Sequence, residues 1–338
     1  METLTAEEVL ASFDGVKTVA ICSHVNPDGD AVGSTLALAA LMRALGCETT
    51  CLLAQNRPAP FMYSFLEDYD FLSASDYTET PDLFIAVDLS GTGRLGNGCA
   101  VLERAPRSLC IDHHPGYTGY ADAYFGDIDA AATASLIWEL IKKSGVSITP
   151  AMASYCYVAI MTDTGRFSYQ NTNERTFYDA AEMVASGVNP TYISKQVYES
   201  KSMALLRLEV RLIERMRFSR NREIVYSWID DNDFVELGVN CDDTESLPII
   251  LRSLAGVQVA ALLRAEDDVV RVNLRSRGCC DVAELASRFG GGGHRAASGF
   301  TFNKSLEETI AILLEAFERS ECLELKAGGR NGCLGDES

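Results

Sequence analysis

Three times in its first half this chain runs through a short apolar segment and then stops on residues that bind cations. The segments are 18–22 (TVAIC), 83–87 (LFIAV) and 108–111 (SLCI), with a further strand expected over 48–53. Unbroken runs of this length mark strands buried on both faces of a parallel sheet. The first leads into 23–34, SHVNPDGDAVGS, and then into an apolar, small-residue helix over 31–45. Open parallel sheets place their ligands at the carboxyl ends of their strands. Here those ends carry His24, Asp28 and Asp30, then Asp88, then Asp112, His113 and His114.

Pro27 and Gly29 bend the first of these turns, so Asp28 and Asp30 point in different directions from nearly one spot. Taken singly, each aspartate is explained as a helix cap or turn residue. Taken together they are not, because all four histidines of the chain, His24, His113, His114 and His294, lie in Gly/Asp-rich stretches. An apolar helix over 151–161 ends in TDTGRF and adds Asp163. Such a set of oxygen and imidazole donors suits Mn²⁺ or Mg²⁺ better than structural zinc. Two ions about 3.5–4 Å apart are the usual arrangement for phosphoester hydrolysis.

Composition narrows the partners. A net charge of −19 excludes a protein that coats long nucleic acid, which requires a basic surface. A short phosphorylated substrate, held by a local arginine cluster or by metal, stays open. With 338 residues, two domains are expected. No leader or membrane span is visible, which points to the cytoplasm. The eleven cysteines lack CxxC spacing and so predict neither a disulfide framework nor a zinc site. Cys22, Cys110 and Cys156 are expected to pack as small hydrophobes.

Gly91-Thr92-Gly93-Arg94-Leu95-Gly96 matches the dinucleotide fingerprint GxGxxG. Asp88 just before it would repel a pyrophosphate, and Asn97-Gly98 makes a poor helix start, so a nicotinamide site is rejected. The aromatic cluster of 57–80 (Phe61, Tyr63, Phe65, Tyr69, Phe71) reads as core packing. A helical stretch over 190–220 serves as the connector.

The second half restarts with strands over 224–229, 257–263 and 269–274, then a helix over 281–289 and a glycine run, GGGGHRAASG. Arg252, Arg264, Arg271, Arg275, Arg277, Arg288 and Arg295 occur there with no lysine among them, and arginine is the side chain for bidentate phosphate recognition. Strand alternation puts Arg271, Asn273 and Arg275 on one face. The glycine run offers backbone N–H groups that can cradle an anion.

SHVNPDGDAVGS, VDLS, DHHP and TDTGRF, in that order, resemble the four motifs of the DHH phosphoesterase superfamily, and GGGGHRAASG resembles the signature of its DHH-associated C-terminal domain. The likeness spans roughly residues 15–303 and is strongest to the NrnA-type oligoribonuclease and pAp phosphatase subfamily. It implies an α/β fold with a parallel-sheet DHH domain over 1–187 and a helical linker over 188–220. A smaller mixed α/β substrate-binding domain would follow over 221–325, with a disordered tail over 326–338. It implies one metal on His24, Asp28 and Asp88, and a second on Asp30, Asp88, His113 and Asp163, with Asp88 bridging. The ions would be Mn²⁺, with Mg²⁺ or Co²⁺ as alternatives.

By the same resemblance, His114 contacts the scissile phosphate and Asp112 orients the histidines from behind. Arg275 and the Gly291–Gly292–Gly293–His294 loop hold the substrate's terminal phosphate or nucleotide, with Ser276 and Arg295 as lesser contributors. Ser298 departs from the family's expected alanine-glycine pattern. The implied activity is hydrolysis of short RNA or linear dinucleotides to mononucleotides, together with removal of the 3′-phosphate of pAp. A symmetric homodimer is the default expectation for the assembly. Long duplexes and membranes are not expected partners. The alternatives are a family II-like inorganic pyrophosphatase, which pairs the metal motifs with a different C-terminal domain, and a non-catalytic nucleotide-binding regulator.

Overall fold

In a computed structural model of the chain, the apolar runs of the first half pair side by side and in parallel. The structure describes residues 3–219, 222–239, 244, 247–266, 269–277 and 280–318, the side chain of His294 excepted. The chain divides into two units, 1–200 and 201–338.

The first unit runs α1 (Ala6–Ser12), β1 (Thr18–Cys22), α2 (Gly29–Ala44), β2 (Glu48–Leu53), β3 (Leu72–Ser73), β4 (Leu83–Val87), α3 (Gly98–Arg104), β5 (Ser108–Asp112), β6 (Ala123–Gly126), α4 (Thr133–Lys143), α5 (Pro150–Asp163), α6 (Glu174–Ala185) and α7 (Pro190–Tyr198). Its sheet has the order β3-β2-β1-β4-β5-β6 with every pair parallel. The direction of strand progression reverses between β1 and β4, and a crevice opens at such a switch point beyond the strands' carboxyl ends. His24 follows β1 and Asp88 follows β4, so the order of pairing alone brings them together.

The helices that carry the other candidate ligands are apolar on all sides because they are buried on all sides. From Gly29 to Ala39 every residue of α2 is buried, and α5 is buried from Tyr155 to Met161. The two helices approach closely at Gly33, where a Cβ would stand 2.5 Å from the Tyr155 carbonyl oxygen. That contact seats Asp30, at the start of α2, near Asp163, at the end of α5. The cysteines expected to pack as small hydrophobes, Cys22, Cys110 and Cys156, are fully buried. Cys280, by contrast, is disulfide-bonded.

Several elements differ from the sequence expectation. A helix does begin at Gly98, with no side-chain cap at Asn97; tertiary burial of Gly98 and Val101 holds it instead. In the aromatic cluster Tyr63 is buried and Phe65, Tyr69 and Phe71 pack partly against the core, while Phe61 is 78% exposed. The helix expected over 190–220 is two helices, because Ser202 caps a new one by accepting from Leu205 N–H. The division between units falls at Ser200 and Lys201, inside that stretch.

The second unit runs α8 (Met203–Glu214), β7 (Arg217–Ser219), β8 (Ile224–Asp230), α9 (Asp231–Leu237), α10 (Leu247–Arg252), β9 (Val259–Glu266), β10 (Val269–Ser276), α11 (Val282–Ser287), β11 (Gly292–His294), β12 (Ala297–Phe302) and α12 (Leu306–Glu318). The sheet order is β11-β12-β10-β9-β8-β7, with β8 and β9 parallel and the rest antiparallel. Alternation along β9 sends Val259, Ala261 and Leu263 to a core with α11 and α12, and Ala260 and Leu262 to one with α8 and α10. Gly292 and Gly293 of the glycine run lie in the edge strand β11, paired with β12 in a hairpin, while Gly290 and Gly291 precede it. The tail expected over 326–338 lies outside the described residues. Among the described residues no helix is long and apolar enough to cross a membrane.

Candidate metal centre

Two groups of donor atoms face each other beyond the carboxyl edge of the parallel sheet. In the first, His24 Nε2 lies 3.3 Å from Asp88 Oδ2 and 3.9 Å from Asp28 Oδ1. In the second, His113 Nε2 lies 3.7 Å from Asp30 Oδ2 and 3.8 Å from Asp163 Oδ2. Asp88 joins the two, for its other oxygen, Oδ1, stands 3.7 Å from His113 Nε2. Ligand atoms about 2.1 Å from a common ion stand ~3–3.5 Å apart. The separations observed are close to that spacing, and all but the His24–Asp88 contact are too long for hydrogen bonds.

Each ligand is oriented by its own element. Asp88 has a left-handed backbone (φ +61°) while its N–H continues the sheet ladder to the Ile111 carbonyl. Aspartate tolerates this region better than most residues, at a cost of ~1 kcal/mol. Asp28 does cap α2, accepting from Asp30 and Ala31 N–H through Oδ1. The simple capping explanation therefore holds for that atom, while its residue also joins the first donor group. The Ala130 carbonyl stands 3.1 Å from His113 Nδ1, and a partner on Nδ1 leaves Nε2 for the carboxylates.

Asp30 caps a helix other than its own. It accepts from Thr133 N–H at 2.7 Å and Ala134 N–H at 3.2 Å at the start of α4, which has no cap of its own, and from the Ser34 hydroxyl at 2.9 Å. Thr133 also donates its hydroxyl to Asp88, and Asn171 donates its side-chain amide to Asp163 Oδ2 at 3.0 Å. Sequence analysis missed Ser34, Thr133 and Asn171. Thr133 had a faint signal in standing where a helix starts, and Asn171 had none.

Burial and the charges of Asp88, Asp163 and Asp28 push the Asp30 carboxyl well above the usual range. Burial likewise raises Asp163 to about 6, with Asp28 and Asp88 adding to it against His113 and His114. Burial acts on Asp88 too, but His24, His114 and His113 overcome it and hold that carboxyl well below the usual range. Asp30 and Asp88, both buried, with Asp163 and the part-exposed Asp28 beside them, gather more negative charge than three imidazoles offset. A divalent cation supplies the counter-charge, and the all-oxygen-and-imidazole donor set fits a hard ion.

His114 lies beside the second group, its Nδ1 3.5 Å from Asp88 Oδ1. Its Nδ1 lies 2.7 Å from Asp112 Oδ1, and Asp112 is fully buried with its Oδ2 lacking any hydrogen-bond partner among the described residues. Burial works against a protonated His114, but the Asp112 contact and the charges of Asp88, Asp112 and Asp163 raise it to about 9.

The family profile for the DHH family, N-terminal domain, matches residues 18–160, and that for the DHHA1 domain matches residues 221–320. The chain carries a DHH-family N-terminal domain and a DHHA1 domain. The bifunctional oligoribonuclease and PAP phosphatase NrnA of Bacillus subtilis is 28% identical, over 91% of this chain and 96% of its own length. Its namesake in Thermus thermophilus is 27% identical, over 91% of each chain. An exopolyphosphatase-related protein from Bacteroides fragilis superposes with a TM-score of 0.87 at 25% identity, covering 95% of this chain and 97% of that one. The exonuclease RecJ bound to manganese shares the fold, with a TM-score of 0.53 at 14% identity. This DHH protein is an enzyme, a phosphoesterase.

Of the GxGxxG glycines of this DHH chain, Gly96 serves packing, whereas Gly93 faces open space. At Gly96 (φ +50°) a Cβ would stand 2.3 Å from the Ala54 carbonyl oxygen.

In the second unit the arginines separate by partner. Arg264 and Arg271 pair with Glu266, Arg288 pairs with Glu284, and Arg277 donates to carbonyls at the end of α10. Arg275 is half-buried on β10 beside Asn273, and Arg295 is exposed. Ser276 is buried and donates to the Cys280 carbonyl. Gly291 and Gly293 lie against β12, where a Cβ would stand 2.1 Å from the Gly299 oxygen and 2.6 Å from the Ala297 oxygen, whereas Gly292 faces open space. The side chain of His294 lies outside the described residues. Ser298, the departure from the family pattern, is buried and donates to the Val282 carbonyl.

Proposed function

We propose that this enzyme hydrolyses short oligoribonucleotides and linear dinucleotides to mononucleotides, and the 3′-phosphate of pAp, with two Mn²⁺ ions. The observation that carries the proposal is the pair of donor groups sharing Asp88. His24, Asp28 and Asp88 would hold one ion, and Asp30, Asp88, His113 and Asp163 the other. When bound, such ions offset charge on a phosphoryl group and activate water. The NrnA relatives, named for oligoribonuclease and PAP phosphatase activity and alike over nearly the whole chain, support the substrate class.

The remaining chemistry belongs to the chain's own side chains. His114, held 2.7 Å from Asp112, can pass a proton to the leaving oxygen or offset charge on the phosphate. Asp112 keeps the ring oriented. Arg275 and Arg295, with the open backbone at Gly292, are the groups we assign to a terminal phosphate.

The test is hydrolysis by metal-stripped protein, with and without added Mn²⁺, of pAp, a 5′-phosphorylated dinucleotide, a five-mer, a 24-mer and pyrophosphate. Mn²⁺-dependent release of mononucleotides from the short oligomers, with pAp turnover, is the expected result. Cleavage of pyrophosphate alone would overturn it in favour of a pyrophosphatase. Inactivity on every member with metal bound would overturn it in favour of a binding protein.

A further inference from the structure

Arg94 is a cation at the edge of the acidic centre that the mechanism above leaves unused. It ends the turn after β4, and its carbonyl accepts from Val25 N–H at 2.8 Å, which clamps that turn to the one carrying His24. Its side chain is exposed. Arg94 Nη2 lies 2.8 Å from His24 Nδ1 and 3.4 Å from the Val25 carbonyl oxygen, and no carboxylate among the described residues pairs with it. Other arginines of this unit are engaged elsewhere: Arg175 with Asp127 and Glu139, and Arg104 and Arg107 with backbone carbonyls.

The contact with His24 is a competition. A guanidinium can only donate and a carbonyl can only accept, yet both meet His24 Nδ1, the carbonyl of Val25 at 2.9 Å. One ring nitrogen cannot serve both at once. A histidine that ligates a cation through Nε2 carries its proton on Nδ1 and donates it, often to a backbone carbonyl. Loading the centre therefore decides for Val25 and turns Arg94 away from the ring.

We infer that Arg94 is a substrate-binding residue whose guanidinium is released from His24 when the cation binds, and then grips a phosphate oxygen of the substrate. The inference rests on the metal-centre assignment above. It also accounts for an exposed arginine held beside a metal-ligand histidine with no acidic partner.

The test compares wild-type protein with Arg94→Met and Arg94→Lys. Because Arg94 is exposed, both variants are expected to fold, and circular dichroism checks this. Calorimetric titration of metal-free protein with Mn²⁺ should show tighter binding by Arg94→Met, about fivefold, since one hydrogen bond no longer opposes loading. At saturating Mn²⁺ the KM for a 5′-phosphorylated dinucleotide should rise about tenfold in Arg94→Met with a smaller change in kcat, and Arg94→Lys should recover part of it. An unchanged KM in Arg94→Met overturns the inference, whatever the Mn²⁺ affinity. Wild-type protein that binds no Mn²⁺ overturns the metal assignment beneath it, a failure the titration shows on its own.

Discussion

The Thr133 hydroxyl donates to Asp88 Oδ1 at 3.0 Å, with both side chains buried. The same residue's N–H donates to Asp30 Oδ2, so the first turn of α4 holds an aspartate from each donor group. Thr133→Val keeps the shape and removes the hydroxyl. It is expected to raise the Mn²⁺ concentration for half-maximal activity by roughly ten- to a hundredfold. An unchanged Mn²⁺ activation curve would separate Thr133 from the centre.

Asp88 faces His24 Nε2 and His113 Nε2, one in each donor group, as well as His114 Nδ1, and its replacement should affect both ions. For Asp88→Ala we expect loss of activity by about a thousandfold or more, and fewer bound Mn²⁺ per chain by calorimetry. Normal turnover by this variant would sink the two-metal proposal.

Asp112 meets His114 rather than either donor group. Asp112→Asn should therefore lower turnover by about a hundredfold or more while Mn²⁺ affinity holds. The Asp112 hydrogen bond leads the contributions, shared with Asp88 and Asp163, that lift His114 to about 9, so the imidazole should titrate at lower pH in the variant, as followed by NMR on metal-free protein. An unmoved titration would show that Asp112 does not set the charge of His114.

Gly33 lets α2 and α5 approach, and a Cβ there would meet the Tyr155 carbonyl oxygen at 2.5 Å and the Ala159 Cβ at 2.9 Å. Gly33→Ala is expected to destabilise the first unit by roughly 1–3 kcal/mol, measured by denaturant unfolding. Wild-type stability would mean that the helices separate at little cost.

In the second unit Asp233 is buried between Arg211 and Arg215, with Nη1 of Arg211 at 2.8 Å. Burial raises its carboxyl, but the two arginines overcome this and lower it below the ordinary 3.8. Its contribution is thus present above that value and lost as pH falls through the lower folded one. Asp233→Asn should cost roughly 3–5 kcal/mol near neutral pH and flatten the acid limb of the stability profile. An identical acid limb would remove Asp233 from that linkage.

The proposed metal ligands were legible because each stands in a short run of turn residues after an apolar strand or helix, and such positions converge at one edge of a parallel sheet. The strands themselves were legible for the same reason, as apolar runs too short to be helices. Elements with weak local signals were not. Gly98–Arg104 starts on a glycine without a cap, and Ala297–Phe302 opens on alanine, serine and glycine; both depend on what packs against them. The glycine run was legible as special, but its chemistry was not. Only the pairing of β11 with β12 revealed that Gly291 and Gly293 are required for close strand packing.

The sequence by itself determined which side chains reach the sheet edge, since the residue that follows a buried strand has nowhere else to go. Tertiary structure alone decided how they are held: Thr133 across two aspartates, Asn171 on Asp163, Arg94 against His24. Those contacts join residues far apart in the chain, and a hydroxyl, an amide or a guanidinium carries no mark of its partner until folding brings the two within a hydrogen bond's reach.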